Sequence, residues 1–242
     1  MLSKGEIRRI RSLGDKAGRR DEGLFVVEGE KLVGELLASD FTVRELYRVG
    51  ENVSRAEMER ISFLRTPTPV LALAELPNAT EREASATFAG DGLTLALDGV
   101  QDPGNVGTIL RLADWFGVRE LYCSPETADC WNPKVVQATM GAIFRVRVRY
   151  TPLEELLATV CRAGVPIYGT FLEGENIYDS DLSPDRGLIV MGNEGRGISA
   201  SVAAHITHKL YIPPFPATAA PTSESLNVAT ATAITLSEFR RR

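Results

Sequence analysis

The feature that most constrains this 242-residue chain is a series of apolar runs from residue 92 onward: "LTLALDGV", "VRELYCS", "FRVRVRY", "VPIYGTF", "GLIVMGN" and "KLYIPP", with helical segments between them. Near-continuous apolar strands are buried on both faces, and crossover helices join parallel neighbours. The expectation is an α/β domain whose parallel sheet is covered on both sides by helices. In such sheets ligands bind beyond the carboxyl ends of the strands, so the informative segments are the loops that follow strands.

Residues 1–76 have a different character. They read as a helix over 3–13, strand "LFVVE", helix "GEKLVGELLAS", strand "VRELYRVG", helix "SRAEMERISFL" and strand "PVLALAEL", a small alternating α/β unit. The stretch "PNATEREASATFAGDG" that follows is polar and lacks periodicity, so residues 77–91 read as a linker or exposed hairpin, with a mobile small domain in front of the second unit.

Composition narrows the class. With 44% hydrophobic residues the chain has ample material for a core. It contains no apolar span of about 18 residues, and "MLSKGEIRRIRSL" lacks a signal-peptide core, so a cytoplasmic protein with no membrane segment is expected. Cys123, Cys130 and Cys161 show no C-x-x-C pairing, which favours buried thiols over disulfides or a zinc knuckle. His205 and His208 lack a third ligand and read as surface residues, so no metal site is expected.

The net charge of −5 does not by itself suggest nucleic acid, but its distribution leaves that open. Lys4, Arg8, Arg9, Arg11, Lys16, Arg19 and Arg20 crowd one segment against Glu6 and Asp15, giving either a solvated basic face or a phosphate-sensing one. Arg145, Arg147 and Arg149 alternate in "FRVRVRY", which reads as a phosphate track or as an edge strand protected by charge. Trp115 and Trp131 suit a subunit interface or a stacked base, and Trp115, beside Phe116 at a helix end, suits packing better.

Three strand-end loops carry the polar residues. In "LDGVQDPGNVGTILRLADWFGV" a turn at Pro103 and Gly104 precedes a helix expected from about Thr108 to Gly117. Ile109, Leu112, Ala113 and Phe116 form its core stripe, leaving Arg111 on another face and in want of an anionic partner. In "LIVMGNEGRGIS" the G-x-x-G-x-G spacing is not the dinucleotide-binding pattern, which argues against a nucleotide-dependent oxidoreductase. Glu194 in its middle reads as a helix cap, a structural acid or a site acid. In "PTSESLNVATATAI" Thr222, Ser223 or Ser225 caps a helix starting near Leu226, and one cap does not account for so many hydrogen-bonding groups.

Taken together these loops resemble the three signature motifs of the SpoU/TrmH family of RNA ribose 2′-O-methyltransferases in the SPOUT superfamily. "DPGNVGTILRLADWFGV", "LIVMGNEGRGIS" and "IP" followed by "SLNVATATAI" occur in the family's order, and the resemblance spans about residues 92–242. Residues 1–76 are similar to the L30e/L7Ae-like RNA-binding domain that many members carry in front. The linking loop "PFPATAAPTSE" is longer than the family's and lacks its glycine.

The resemblance implies an α/β fold: a parallel-sheet SPOUT domain with a C-terminal trefoil knot, preceded by a small L30e-like domain. It also implies homodimers that methylate RNA, ribosomal RNA before transfer RNA, using S-adenosyl-L-methionine; a catalytically silent RNA-binding protein is the alternative. By match, Gly192, Ile212 and Leu226 supply main-chain contacts to the cofactor, with Thr170, Leu172, Asn193 and Pro213 nearby. Asn105, Arg111, Glu194, Ser225 and Asn227 fall on the catalytic and structural positions. Arg111 would stabilise the nascent alkoxide, Asn105 would hold the ribose, and Glu194 would orient Asn105 or Arg111.

Overall fold

The computed structural model describes residues 1–77, 92–215 and 224–242, so all but Pro77 of the expected linker lies outside the described residues. Two sheets organise the chain. The first is three-stranded and antiparallel, in the order β1 (Leu24–Glu28), β3 (Val70–Glu75), β2 (Val43–Arg48). Around it stand α1 (Lys4–Ser12), α2 (Lys16–Glu22), α3 (Glu30–Leu37) and α4 (Arg55–Ile61).

Helices α1 and α4 both open with a capping box, Ser3 with Glu6 and Ser54 with Glu57. Glu57 also accepts from the Leu2 N–H at 2.5 Å. Bonds from the Ser54 backbone and hydroxyl, then from Leu2, depress its pKa to about 2. A depressed folded pKa stabilises above the ordinary carboxyl range and is lost as pH falls toward 2. Glu57→Gln is therefore expected to flatten the acid limb of the stability–pH profile between about 4.5 and 2. Denaturant titrations across that window test this; an unchanged acid limb contradicts it.

The second sheet has seven strands. Its order is β6 (Arg147–Tyr150), β5 (Glu120–Cys123), β4 (Gly92–Asp98), β9 (Arg186–Gly192), β7 (Ile167–Phe171), β10 (His208–Tyr211), β8 (Glu175–Asn176), all parallel. Alternate side chains serve opposite faces. Leu95, Leu97, Ile189 and Met191 enter one core, and Ala96, Leu188 and Val190 enter another with Leu156, Leu157 and Val160 of α7 (Leu153–Arg162). On the first face lie α5 (Pro103–Trp115), α6 (Pro133–Thr139) and α9 (Val228–Arg241); α8 (Ala200–Ala203) contacts α7.

The core on the first face continues into the small domain, contrary to the expected mobile module. Phe25, Val27, Leu36 and Ala72 belong to the same buried cluster as Leu95, Trp131 and Val135. Trp131 packs at 4.7 Å from Phe25 and 5.9 Å from Phe41, centroid to centroid. Arg19, only 2% exposed, crosses the boundary to Asp129 at 2.5 Å and donates to the Leu13 and Gly14 carbonyls at 2.8 and 2.9 Å. The small domain is thus packed as core, because each side contributes apolar surface that its own helices leave uncovered.

Other sequence expectations are corrected. Arg145 is not a strand residue: it follows the 3-10 turn Ala142–Phe144 and joins Asp114 at 2.8 Å to Glu35 at 2.5 Å. Arg147 and Arg149 approach Glu120 at 3.8 and 3.6 Å, and β6 is an edge strand, the second of the two readings offered for these arginines. Of the basic amino-terminal residues, Arg9, Arg19 and Arg20 pair with carboxylates. Cys123 and Cys130 are buried but Cys161 is exposed. Trp115 is 84% exposed, while Trp131 is buried. No described helix is long and apolar enough to cross a membrane.

Candidate active site

The sheet reverses its direction of growth between β4 and β9: β5 and β6 extend it one way, β7 and β10 the other. A crevice opens at such a point beyond the strand ends, because the flanking connections leave on opposite faces. Asp98 and Gly192, the last residues of β4 and β9, are register partners there.

The loop after β4 leads directly into α5, which begins at Pro103 and not near Thr108. Asp102 is the N-cap, its Oδ1 accepting the Asn105 N–H at 2.8 Å, and proline occupies the first turn. The apparent turn "PGN" is therefore the first turn of the helix. A Cβ on Gly107 would stand 2.4 Å from the Ala138 Cβ and 2.9 Å from the Val135 carbonyl, so glycine lets α5 touch α6. Arg111 lies a turn further along than expected, exposed, and makes no hydrogen bond or ion pair among the described residues.

The loop after β9 folds back on itself. Asn193 and Gly197 form a two-bond bridge, N–H to carbonyl, at 3.0 and 2.9 Å. A Cβ on Gly192 would collide with the Gly197 carbonyl carbon and Ile198 nitrogen at 2.3 Å, and Gly197 has φ 68°. These glycines serve the loop's own close approach. The Asn193 side chain donates to the Gly99 carbonyl at 2.6 Å, and Asp98 accepts the Ser199 N–H at 2.7 Å, binding this loop to the end of β4.

A chain of side-chain hydrogen bonds then joins the loops. Glu194 Oε1 accepts from Asn105 Nδ2 at 2.9 Å, and Asn105 Oδ1 accepts from Asn227 Nδ2 at 2.9 Å. Asn227 Oδ1 accepts the N–H groups of Ala229 and Thr230 at 2.9 and 3.3 Å. The order has a single direction. An ionised carboxylate only accepts, so it faces the Asn105 amide nitrogen; that leaves oxygen toward Asn227, whose own oxygen faces the helix N-terminus. Glu194 also receives the Gln101 and Asp102 N–H groups at 3.4 Å.

Asn227 is thus the N-cap of α9, which starts at Val228, a correction to the expected start at Leu226 capped by a hydroxyl. Ser225 is exposed and joins no hydrogen bond among the described residues; Thr222 and Ser223 lie outside them. The polar crowding before this helix is explained by Asn227, which caps and reaches across to α5 with one amide.

The expected cofactor residues line neighbouring strand ends. Thr170 is the penultimate residue of β7 and Leu172 follows it, Gly192 ends β9 with Asn193 next, and Ile212 and Pro213 follow β10; Tyr211 is the register partner of Phe171. Thr170 Oγ1 lies 3.7 Å from Met191 Sδ. Leu172 and Leu226 are 67% and 48% exposed, leaving apolar surface on either side of the crevice. Asp98, Gly99 and Asp102 were not singled out from the sequence, although a strand-end aspartate before glycine and an Asp-Pro pair are readable as a loop anchor and a helix cap.

This is an open parallel α/β sheet whose ligand crevice is walled by three interlocked loops. Residues 92–237 match the SpoU rRNA Methylase family and residues 4–72 the MRM3-like substrate binding domain. The chain belongs to the SpoU rRNA methylase family. It is 30% identical to the 23S rRNA (guanosine(2553)-2′-O)-methyltransferase RlmP of Bacillus subtilis, over 95% of this chain and 94% of that protein. A putative RNA methyltransferase of the TrmH family from Porphyromonas gingivalis superposes with a TM-score of 0.88 at 43% identity, covering 100% of this chain and 99% of its own. An AdoMet-bound rRNA methyltransferase from Sinorhizobium meliloti superposes at 0.85 with 28% identity, covering 100% and 96%.

Proposed function

We propose that this protein transfers a methyl group from S-adenosyl-L-methionine to a ribose 2′-hydroxyl of ribosomal RNA. The observation that carries this is the Glu194–Asn105–Asn227 chain, which locks three strand-end loops together at the start of the helix that carries exposed Arg111, a residue without a partner among the described residues. The family membership and the names of its relatives favour turnover over a silent RNA-binding role, and ribosomal over transfer RNA.

The residues fit the donor. Exposed Leu172 and Leu226 offer apolar surface for a purine ring, and the turns at Gly192, Ile212 and Leu226 offer main-chain groups to its edge. Thr170, Asn193 and Pro213 complete the walls. Bound there, the sulfonium would supply an activated methyl group.

The chain's own task is to make a poorly ionised sugar hydroxyl nucleophilic. A guanidinium does not give up its proton in proteins and is a poor base, so Arg111 acts by charge: it stabilises oxygen as negative charge develops and binds the neighbouring phosphate. Asn105 keeps one amide hydrogen and one lone pair beyond its two bonds, enough to hold the ribose. Glu194 fixes that amide's orientation, and Asn227, with Ser225 beside it, fixes the returning segment.

The finer architecture belongs to the same reading: domains at 1–76 and 92–242 joined through 77–91, a trefoil knot, and a cytoplasmic homodimer. The knot reading is supported by Asn227, which follows β10 in sequence and bonds back to Asn105 of α5. Trp115, one turn beyond Arg111, gives a second copy an apolar anchor beside the site.

Ribosomal RNA incubated with the protein and methyl-labelled donor should acquire label at ribose. The labelled linkage should resist alkali, because a methylated 2′-oxygen cannot attack its phosphate. Label recovered in alkali-labile nucleotides, or none in RNA, contradicts the reading.

A further inference from the structure

A cleft of about 270 Å³ opens between the small domain and α6, lined by Val26, Glu28, Phe63, Leu64, Lys134 and Gln137 among others. It lies near the lower end of the roughly 300–1,000 Å³ typical of small-ligand sites, a size for one ring system. Nothing in the methyl-transfer site uses it, yet it contains a buried acid and unengaged polar groups.

Glu28 is 4% exposed. Its Oε2 accepts from Ser62 Oγ at 2.5 Å and its Oε1 from the Phe63 N–H at 2.7 Å. These bonds fix the carboxylate plane and leave each oxygen further acceptor capacity. Burial still holds the Glu28 pKa above its ordinary value, against the pull of Ser62, Phe63 and Arg11, so additional donors to the carboxylate would stabilise its ionised form. The side chains of Gln137 and Lys134 make no hydrogen bond or ion pair among the described residues. The walls are aromatic and aliphatic, and the Phe63 ring is held by the Arg11 guanidinium 4.4 Å from its centroid. Arg65, next after Leu64, is exposed and also without a partner among the described residues.

We propose that this cleft receives the base of one unpaired guanosine of the substrate RNA and so helps determine which site is methylated. This rests on the RNA reading above. Apolar walls suit the base faces, and the acceptor-only carboxylate suits guanine, whose N1–H and N2–H donate side by side. Gln137 completes the base edge, while Lys134 and Arg65 meet the flanking phosphates of an anionic partner. Ala138 of α6 lines the cleft and also stands against Gly107 of α5, so a single α6 residue joins the cleft wall to the helix that carries Arg111. A nucleotide seated in the cleft would hold the RNA against the helix pair that includes the Arg111 helix.

The test uses Gln137→Leu and Lys134→Glu, both at the cleft rim, in the full-length protein. For Gln137→Leu, KM for ribosomal RNA should rise roughly 5- to 150-fold, the range of a lost base contact, with kcat at saturating RNA and donor affinity retained. Lys134→Glu should weaken RNA binding and reduce its salt dependence. A benzophenone side chain in place of Gln137 should crosslink to one unpaired guanosine. Unchanged RNA KM and affinity in both variants, or crosslinks to helical RNA, overturn the cleft assignment while leaving the methyl-transfer reading in place. If the wild type methylates no RNA, that reading fails, and RNA affinity measured by fluorescence anisotropy still decides whether the cleft binds RNA.

Discussion

Replacing Arg111 by alanine is expected to lower kcat for RNA methylation roughly 10²- to 10³-fold, the cost of removing one preorganised group facing developing negative charge. The loss should fall on kcat, since the side chain acts where charge appears only as the reaction proceeds. Stability should move by no more than about 0.5 kcal/mol, because Arg111 is exposed and engages no group among the described residues. Donor affinity measured by calorimetry should be retained. Lysine should restore part of the rate, as a point charge lacks the planar fork that grips oxygen and phosphate together. Initial rates at saturating donor and RNA check this, and parental kcat in Arg111→Ala removes the arginine from the reaction.

The second large effect concerns stability. Asp129→Asn should destabilise the protein by about 3–5 kcal/mol, the cost of breaking a buried ion pair on one side. Asp129 Oδ2 meets Arg19 at 2.5 Å, while its Oδ1 accepts the Trp131 N–H at 3.1 Å. An amide has one oxygen for these two donors, so either the guanidinium or the indole's backbone N–H must face an NH₂ group. Arg19 Nε is already buried without a partner among the described residues, which leaves little slack in the pocket. At roughly 2–4 °C per kcal/mol for a chain of this size, Tm should fall by on the order of 10 °C. A double variant, Arg19→Met with Asp129→Leu, should lose less than the sum of its parts, because no buried charge is then left alone. Thermal unfolding of the single and double variants measures this; a Tm change under about 2 °C in Asp129→Asn contradicts it.

Much of the fold was legible because burial writes itself into periodicity. The main strands of the second sheet were visible as apolar runs, and the strand-end loops followed from parallel packing. Helix α2 was not: "KAGRRDE" has no apolar stripe, and its inward residue is Arg19, so charge occupies the place where a hydrophobic signal would stand. The two-residue strand β8 is too short to show alternation. The basic amino-terminal segment read as either a solvated or a phosphate-sensing face; Arg9 and Arg19 are ion-paired there with carboxylates from distant parts of the chain. Long-range pairing of that kind has no local signature.

The site shows the same division. Asn105, Glu194 and Asn227 drew attention as polar residues on strand-end loops, but nothing local says that 89 and 122 residues of separation close to hydrogen bonds. Helix starts were misjudged for a related reason. Asp102-Pro103 and Asn227 are capping signals hidden among other turn-forming residues, and only the bonds to Asn105 N–H and Ala229 N–H single them out. Trp115, read as suited to packing, is 84% exposed among the described residues, one turn beyond Arg111 on the same helix.

A crystal structure of the protein with S-adenosyl-L-methionine tests the convergence of the three loops most directly. The expected result is a donor held at the turns of Gly192, Ile212 and Leu226, with its methyl group directed toward Asn105 and the guanidinium of Arg111. A donor lodged away from the β4/β9 crevice, or one bound there with Arg111 of both protomers remote from its methyl group, would contradict it.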